Sequence, residues 1–433
     1  METGQAIQQP MRWLERIVKV ERGEWQRLLL AFFTFFLLLC GYFMLRPIRG
    51  AVASANSDIL HWLYTATFTS MLLLVPVFGY LVARYPRRLF LPAIYSFVVV
   101  CLLWFAWEFR GGDTSQWVQR GFYVWLSVFN LMMVSVLWSF MADIFRPGQA
   151  QRLFGFIAAG GTLGAFIGSM LTTLLVQSAG SANMMFVSAG LFVTVIFMVI
   201  YMGRMPIPSI QANSGKLIGG SVWEGAKRVF QSKYLIFACL LMLLHNATSV
   251  FLYNGLATLV NTAIPDFDEA AEFFGSVDVA VQLIALCLQL FITLRLVKSL
   301  GMHGTLLLVP LVLAGGLVML GSMLTLTLFA AVQVAQRSMN YGVLGPTKEM
   351  LFTVVDRETK YKCKNFIDTA VYRGSDVTAS WAFKGMTSAG LSLGTIAWIF
   401  VPVVLVWSMI GWQLGKIYGQ LKSEFQPPAD GSL

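Results

Sequence analysis

The sequence predicts an all-α membrane protein with twelve transmembrane helices in two six-helix halves. Three observations carry this prediction. Of 433 residues, 57% are hydrophobic and 12% charged, and the mean hydropathy is +0.70, which leaves too little charge to cover a soluble protein of this length. Apolar runs of about 20 residues recur along the chain, the length a helix needs to cross lipid that offers its backbone no hydrogen-bond partner. The connections between these runs alternate in charge. The alternation expected of an outer-membrane β-barrel is absent, so the spans are read as helices.

In chain order the spans are expected at 27–49, 60–82, 89–109, 121–144, 154–176, 184–202, 235–260, 273–294, 304–322, 324–345, 365–386 and 391–414. One set of connections carries Arg84, Arg87 and Arg88; Arg146 and Arg152; Arg204, Lys216, Lys227, Arg228 and Lys233; Arg295 and Lys298; a basic cluster at 348–364; and Lys416 and Lys422. The opposite set carries Arg46, Arg49, Arg110 and Arg120 with the acidic loop PDFDEAAE at 265–272. Both termini fall on the basic side, which the positive-inside rule places in the cytoplasm. The net charge of +10 is therefore a topology signal, and no nucleic-acid partner is expected.

Residues 1–26 read as a cytoplasmic interfacial segment, with Trp13, Leu14, Ile17 and Val18 interleaved with Arg12, Arg16 and Lys19. No small-residue cleavage site follows the first apolar run, so a signal peptide is not expected. A six-helix bundle at 27–202, a central cytoplasmic loop at 203–234, a second bundle at 235–414 and a cytoplasmic tail at 415–433 follow. The central loop holds Pro206 and Pro208 before a basic, helix-like WEGAKRVFQSK. Cys40, Cys101, Cys239 and Cys287 lie within spans and Cys363 in a loop, a scatter that predicts neither disulfides nor a metal site. No cofactor is expected.

The polar residues inside spans are the functional candidates, because charge at membrane depth is costly. In span eleven Thr369, Arg373, Asp376, Ser380 and Lys384 recur at helical spacing and share one face. Arg373 lies about 13 Å in from Lys364, near mid-membrane. Arg373 and Asp376 either clasp each other or line a cavity; with Lys384 and Arg337 the stripe carries surplus positive charge, which suits an anionic solute. Span ten sets Gln333, Arg337, Asn340 and Tyr341 on one side and ends at Pro346, where a bend is expected. In span one Arg46 and Arg49 flank Pro47 near the outer end, where snorkelling to headgroups is the plain alternative. Asp143 stands beside Arg146 as a candidate helix-end ion pair, span seven offers His245 and Asn246, and Asp278 of span eight is either paired or protonatable. Gly160, Gly164 and Gly168 in span five predict close helix packing, with a sliding surface as the alternative. No Walker loop, HExxH or nucleophile elbow occurs, so the chain is not read as an enzyme and transport is secondary.

Two resemblances follow from these residues. Gly79 to Arg88, GYLVARYPRR, resembles the G-x-x-x-D-R-x-G-R-R loop of major facilitator proteins, with Ala83 in place of the acid and Pro86 in place of the glycine. Its six-plus-six plan implies two halves that rock around a midplane site. PTKEM at 346–350, the run Lys360, Lys362, Lys364 and the spaced Asp368 and Arg373 resemble the ATP/ADP translocase family of nucleotide transporters. LRPIRG at 45–50, VLWSFMADIFRPGQAQRLFGF at 136–156 and IPDFDEAAEFFGS at 264–276 are similar to three further stretches of that family. The resemblance implies a substrate site drawing on Arg49 at the span-one lysine position, Asp143 at the span-four glutamate position and Lys348 of PTKEM. Gly50 replaces an acid, and the span-seven glutamate position falls near Tyr253. A guanidinium can fork onto phosphate where lysine acts as a point charge, so Arg49 suits a phosphorylated anion. The expectation is an inner-membrane antiporter of a nucleotide or other small anion, embedded in membrane lipid. Arg49, Asp143, Lys348 and Arg373 lie around the solute, with Arg337, Asp376 and Lys384 behind them. The alternatives are a proton-coupled exporter of organic compounds using Asp278 or Asp143, and a non-transporting membrane scaffold in which the charges merely pair.

Overall fold

The computed structural model describes residues 24–85, 87–112, 114–205, 222–355, 359, 363 and 366–425. Arg12, Arg16 and Lys19, Pro86, the loop residues Pro206, Pro208 and Lys216, and Lys360, Lys362 and Lys364 lie outside the described residues. All regular structure among the described residues is helical, and the helices supply twelve spans. Span one is Trp25–Ala55, span two Leu60–Arg84, span three Arg87–Phe109, span four Gln116–Ile144, span five Pro147–Ala179 and span six Ser181–Arg204. A linking helix, Val222–Gln231, precedes span seven at Lys233–Ala263. Span eight, Phe267–Cys287, runs through a π turn at Leu288–Ile292 into Thr293–Ser322. Gly301, at φ +65°, breaks that helix and marks the start of span nine; a residue with a Cβ would be strained there. Span ten comprises Leu326–Met339, a π turn at Asn340–Leu344 and Gly345–Leu351. Span eleven opens on a π turn at Ile367–Val371 and continues as Tyr372–Ser388, and span twelve is Leu393–Phe425.

Eight of these helices are long and apolar enough to cross a membrane by length and composition, and the 56-residue one holds spans eight and nine. Spans two, ten and eleven fall outside that group. Spans ten and eleven carry Arg337, Lys348, Arg373, Asp376 and Lys384 of the predicted charges.

The packing gathers into two compact units, the first built on residues 24–52, 69–205 and 267–276 and the second on 53–68, 222–266 and 277–425. In the first unit, spans one and five meet backbone to backbone. A Cβ at Gly160, Gly164 or Gly168 would lie 2.7, 2.2 or 2.3 Å from the carbonyl oxygens of Phe32, Phe36 and Cys40. One turn further on, the Thr172 hydroxyl donates to the Met44 carbonyl at 3.0 Å, keeping the same 128-residue offset. The glycine stripe is thus a packing seam, as its spacing predicts. Ser188 of span six donates to the Gly41 carbonyl at 2.9 Å. The first residue of span six, Ser181, donates both its backbone N–H and its hydroxyl to Asp268; the stretch expected as an acidic loop is helical from Phe267, and this first-turn acid of span eight caps span six. At the other end, Glu24 accepts hydrogen bonds from Gln149 at 2.7 Å and Arg152 at 3.2 Å.

The second unit packs spans seven, nine, ten, eleven and twelve. Phe251 stacks on Phe400 at 4.6 Å, and Gly255 admits the Phe329 ring. Gly415 of span twelve leaves only 2.3 Å between a built Cβ and the His303 Cα of span nine.

Candidate functional site

Spans ten and eight differ from regular helices in a way that follows from their sequences. Pro346 has no N–H for the carbonyl four residues back, Gly342, and the helix widens into a π turn just before it. The orphaned carbonyls find side chains on span eight. Thr293 Oγ1 lies 2.6 Å from the Gly342 oxygen, and Gln289 Nε2 donates to the Tyr341 oxygen at 2.9 Å. Gly342 is needed for the approach, since a Cβ there would meet Leu288 at 2.6 Å. The bend predicted from Pro346 is therefore a paired feature of two spans.

Beyond this bend, span ten delivers Lys348 to the start of span eleven. Lys348 Nζ lies 5.9 Å and the Arg373 guanidinium 5.8 Å from the centre of the Tyr372 ring. Asp376, one turn along, is 3.4 Å from Arg373 and accepts a 2.6 Å hydrogen bond from Asn246 of span seven. Asn246 Nδ2 also approaches Ser375 Oγ and the Tyr372 carbonyl. Asn246 is buried, whereas the Arg373 side chain keeps 28% of its surface accessible. His245, beside it, packs 5.2 Å from the Trp407 ring and lies within the field of Lys348. Two cations and one carboxylate thus meet around one tyrosine ring.

A second ion pair lies further up the same unit. Arg337 donates to Asp278 at 2.5 Å, with side chains 13% and 4% accessible. Asp278 is paired, and its partner is the span-ten arginine rather than a proton alone. This pair is short and closed; the Arg373–Asp376 pair is long and open on one side. Near it on span ten, Gln333 and Gln336 are buried, and the oxygens of both side-chain amides and the Gln336 nitrogen have no protein partner among the described residues. Buried amides in that state call for water or a solute.

The other predicted residues do not join the Tyr372 cluster. Lys384 is eight residues beyond Asp376, about 12 Å along the helix. It lies in the field of His61, whose ring is 4.5 Å from Trp381. Tyr253 is half-buried on span seven, about 10 Å along from Asn246. The side chains of Asp368 and Thr369 fall outside the description.

In the first unit Arg49 does not snorkel. Its Nη1 donates to Ser127 Oγ of span four at 3.0 Å and its guanidinium covers the Tyr123 ring at 4.9 Å. Arg46 rests over Phe43. Asp143 is exposed, sixteen residues beyond Ser127 on span four, about 24 Å along it, so the structure keeps Arg49 and Asp143 apart. Gly50 packs against Phe274, with 2.6 Å left for a Cβ; an acid at that position has no room.

Sequence reasoning passed over Tyr372, Gln336, Gln289 and Thr293. An aromatic next to Arg373 was the available signal for Tyr372; the other three depend on contacts between spans.

A family model described as Major Facilitator Superfamily matches residues 31–347. No curated protein matches the chain at a significant level. Among solved structures, the POT family transporter PepTSo superposes with a TM-score of 0.64 at 12% identity, covering 91% of this chain and 98% of its own. The nucleoside transporter NupG gives 0.62 at 11% identity, covering 91% and 98%. A D-xylose-proton symporter gives 0.61 at 14% identity, covering 89% and 97%. At such identities the likeness is one of fold.

Proposed function

The chain belongs to the Major Facilitator Superfamily, and from that membership we propose a secondary transporter that carries a nucleotide or another phosphorylated or anionic metabolite across a bacterial inner membrane by alternating access. The bundles at 27–202 and 235–414 are the moving bodies, the 203–234 connection joins them, and both termini are cytoplasmic. The observation that supports an anion is the meeting of Lys348 and Arg373 at Tyr372, where Arg373 is only loosely neutralised by Asp376. An arriving phosphate or carboxylate takes the guanidinium fork. Asp376 then keeps its bond from Asn246, so the carboxylate released from Arg373 is not left without a donor. Arg49 is assigned to solute binding within the first unit, with Tyr123 and Ser127 setting its guanidinium plane. Asp143, Arg337, Lys384 and Tyr253 are assigned to later stages of passage, because none of them joins the Tyr372 cluster. The resemblance to ATP/ADP translocases favours exchange of nucleotides within this anion class.

Counterflow in proteoliposomes tests the proposal. Vesicles preloaded with ATP, ADP or another phosphorylated metabolite are challenged with labelled ATP. Accumulation that needs internal nucleotide supports exchange. Arg373→Ala or Lys348→Ala is expected to lower uptake about 10- to 100-fold, the worth of one charge-assisted hydrogen bond, in a protein that still melts normally. Wild-type uptake by both variants sinks the assignment. Absence of nucleotide flux from folded protein ends the nucleotide reading and moves the test to a panel of other anions.

The proton-coupled reading keeps one observation in its favour, the buried Arg337–Asp278 pair, which protonation of the acid breaks. It requires transport that follows an imposed pH gradient and is lost in Asp278→Asn.

A further inference from the structure

The far end of span eleven carries side chains that the Tyr372 cluster leaves unused. Trp381 and Lys384 stand three residues apart there, neighbours on the helix surface. Span two brings His61, Trp62 and Thr65 to the same place, within the second unit. The Trp381 ring is met by His61 at 4.5 Å and 73° and by Trp62 at 5.0 Å and 76°. Its Nε1 donates to Thr65 Oγ1 at 3.0 Å, and Thr65 donates to the His61 carbonyl at 2.8 Å. The rings are thereby fixed but not covered: Trp62 is 56% and Trp381 41% exposed, while His61 is buried. Lys384 is half-buried and makes no ion pair among the described residues. Asp58, which acts on His61 together with Lys384, is exposed.

Exposed indoles near the end of a span ordinarily serve as an anchoring belt in the headgroups. The surroundings of span eleven argue otherwise. Asp376, Ser380 and Lys384 recur at four-residue steps on one face, and Asn246 and Asn254 of span seven donate to the first two. That face is turned into the protein, and Trp381 stands on its border. Asn254 is itself buried, and its Oδ1 has no partner among the described residues. We propose that Trp62, Trp381 and Lys384 form a second solute site, and that it takes a planar aromatic ring carrying a negative group. Two exposed indoles set nearly perpendicular offer a flat ring one face to stack on and one edge to meet, both arrangements that aromatic groups favour. An aliphatic group gains only buried area there. Lys384 supplies the charge, and a half-buried ammonium gains more from an anion than a fully solvated one does. The site lies about 12 Å along the helix from Asp376. It shares Lys384 with the transport reading and otherwise stands on its own lining, whichever anion the protein moves.

The test uses the purified full-length chain in detergent, with titration calorimetry for binding and thermal melting for folding. Three probes are compared: indole-3-acetate; tryptamine, with the same ring and the opposite charge; and cyclohexaneacetate, with the charge but no flat ring. Indole-3-acetate is expected to bind about tenfold more tightly than either, the worth of one stacking contact or one charge-assisted bond. Trp62→Ala is expected to bring it level with cyclohexaneacetate, and Trp62→Phe to restore most of the loss. Lys384→Gln is expected to remove its advantage over tryptamine. Equal binding of all three probes by the unaltered protein overturns the ligand class. Absent binding, or binding unchanged in Trp62→Ala and Lys384→Gln, overturns the site; a lowered melting temperature in Trp62→Ala would then assign the rings to packing alone. Binding that ignores both variants but is lost in Arg373→Ala places the anion at the Tyr372 cluster, which overturns this site and leaves the transport reading standing. Trp62-dependent binding in a protein that shows no nucleotide flux does the reverse.

Discussion

Spans one and five in the first unit, and spans eight and ten in the second, solve the same problem of close helix contact in opposite ways. The first pair interlocks through glycines, with carbonyl oxygens at distances that leave no room for a methyl group. The second pair opens each helix by a π turn and closes the loosened carbonyls with Thr293 and Gln289. One contact is made of backbone and has no adjustable part. The other is held by two side-chain hydrogen bonds, each of modest net worth. The comparison teaches that rigidity and pliability follow here from glycine and proline placement, Gly160, Gly164 and Gly168 against Pro346.

The comparison can be broken most severely at the seam. Gly164→Leu is expected to cost at least about 3 kcal/mol, because the atom it strikes is backbone and cannot rotate away. The expected outcome is little or no monodisperse protein; an ordinary melting curve would show that the seam opens. Next in size is Thr293→Val, which leaves the Gly342 carbonyl without its donor and is expected to cost about 1–3 kcal/mol in thermal or denaturant unfolding. Pro346→Ala sharpens the same point. It restores an N–H to that carbonyl, and is expected to raise stability by about 1 kcal/mol while lowering the rate of solute exchange. In that background Thr293→Val should lose most of its cost, a non-additivity that a double-mutant cycle measures directly. The smallest effect belongs to Gly155→Ala. This residue is on span five but faces open space, and replacing it is expected to stabilise by about 0.5 kcal/mol.

Much of this was legible in the sequence, and the limit is physical. Twelve spans follow from apolar runs, the seam from glycines four apart, and the bend in span ten from Pro346, because each is a local property of one helix. Local proximity also made Arg373 and Asp376 a candidate pair. The partner of Asp278 was not legible, since Arg337 is 59 residues away and only the packing of spans eight and ten brings them together. Span eleven illustrates another limit. Its polar stripe was counted from Lys364 at 3.6 residues per turn, and the π turn at Ile367–Val371 changes the register at the start of that count. Asn246 was visible as an intramembrane amide, but its hold on Asp376, 130 residues away, was not. The separation of Arg49 from Asp143 likewise rests on which turn of span four each one meets.

The Thr293 and Gln289 hydrogen bonds have a consequence for time and temperature. A bond worth about 1 kcal/mol net favours the closed form about fivefold over the open one at 25 °C. Each of the two contacts is therefore released an appreciable fraction of the time in the resting protein, and the neighbouring turn of span ten has only to wait for a thermal fluctuation rather than for a ligand. A solute arriving at Lys348 would then meet a helix already sampling more than one curvature, and its binding energy would select among shapes instead of creating one.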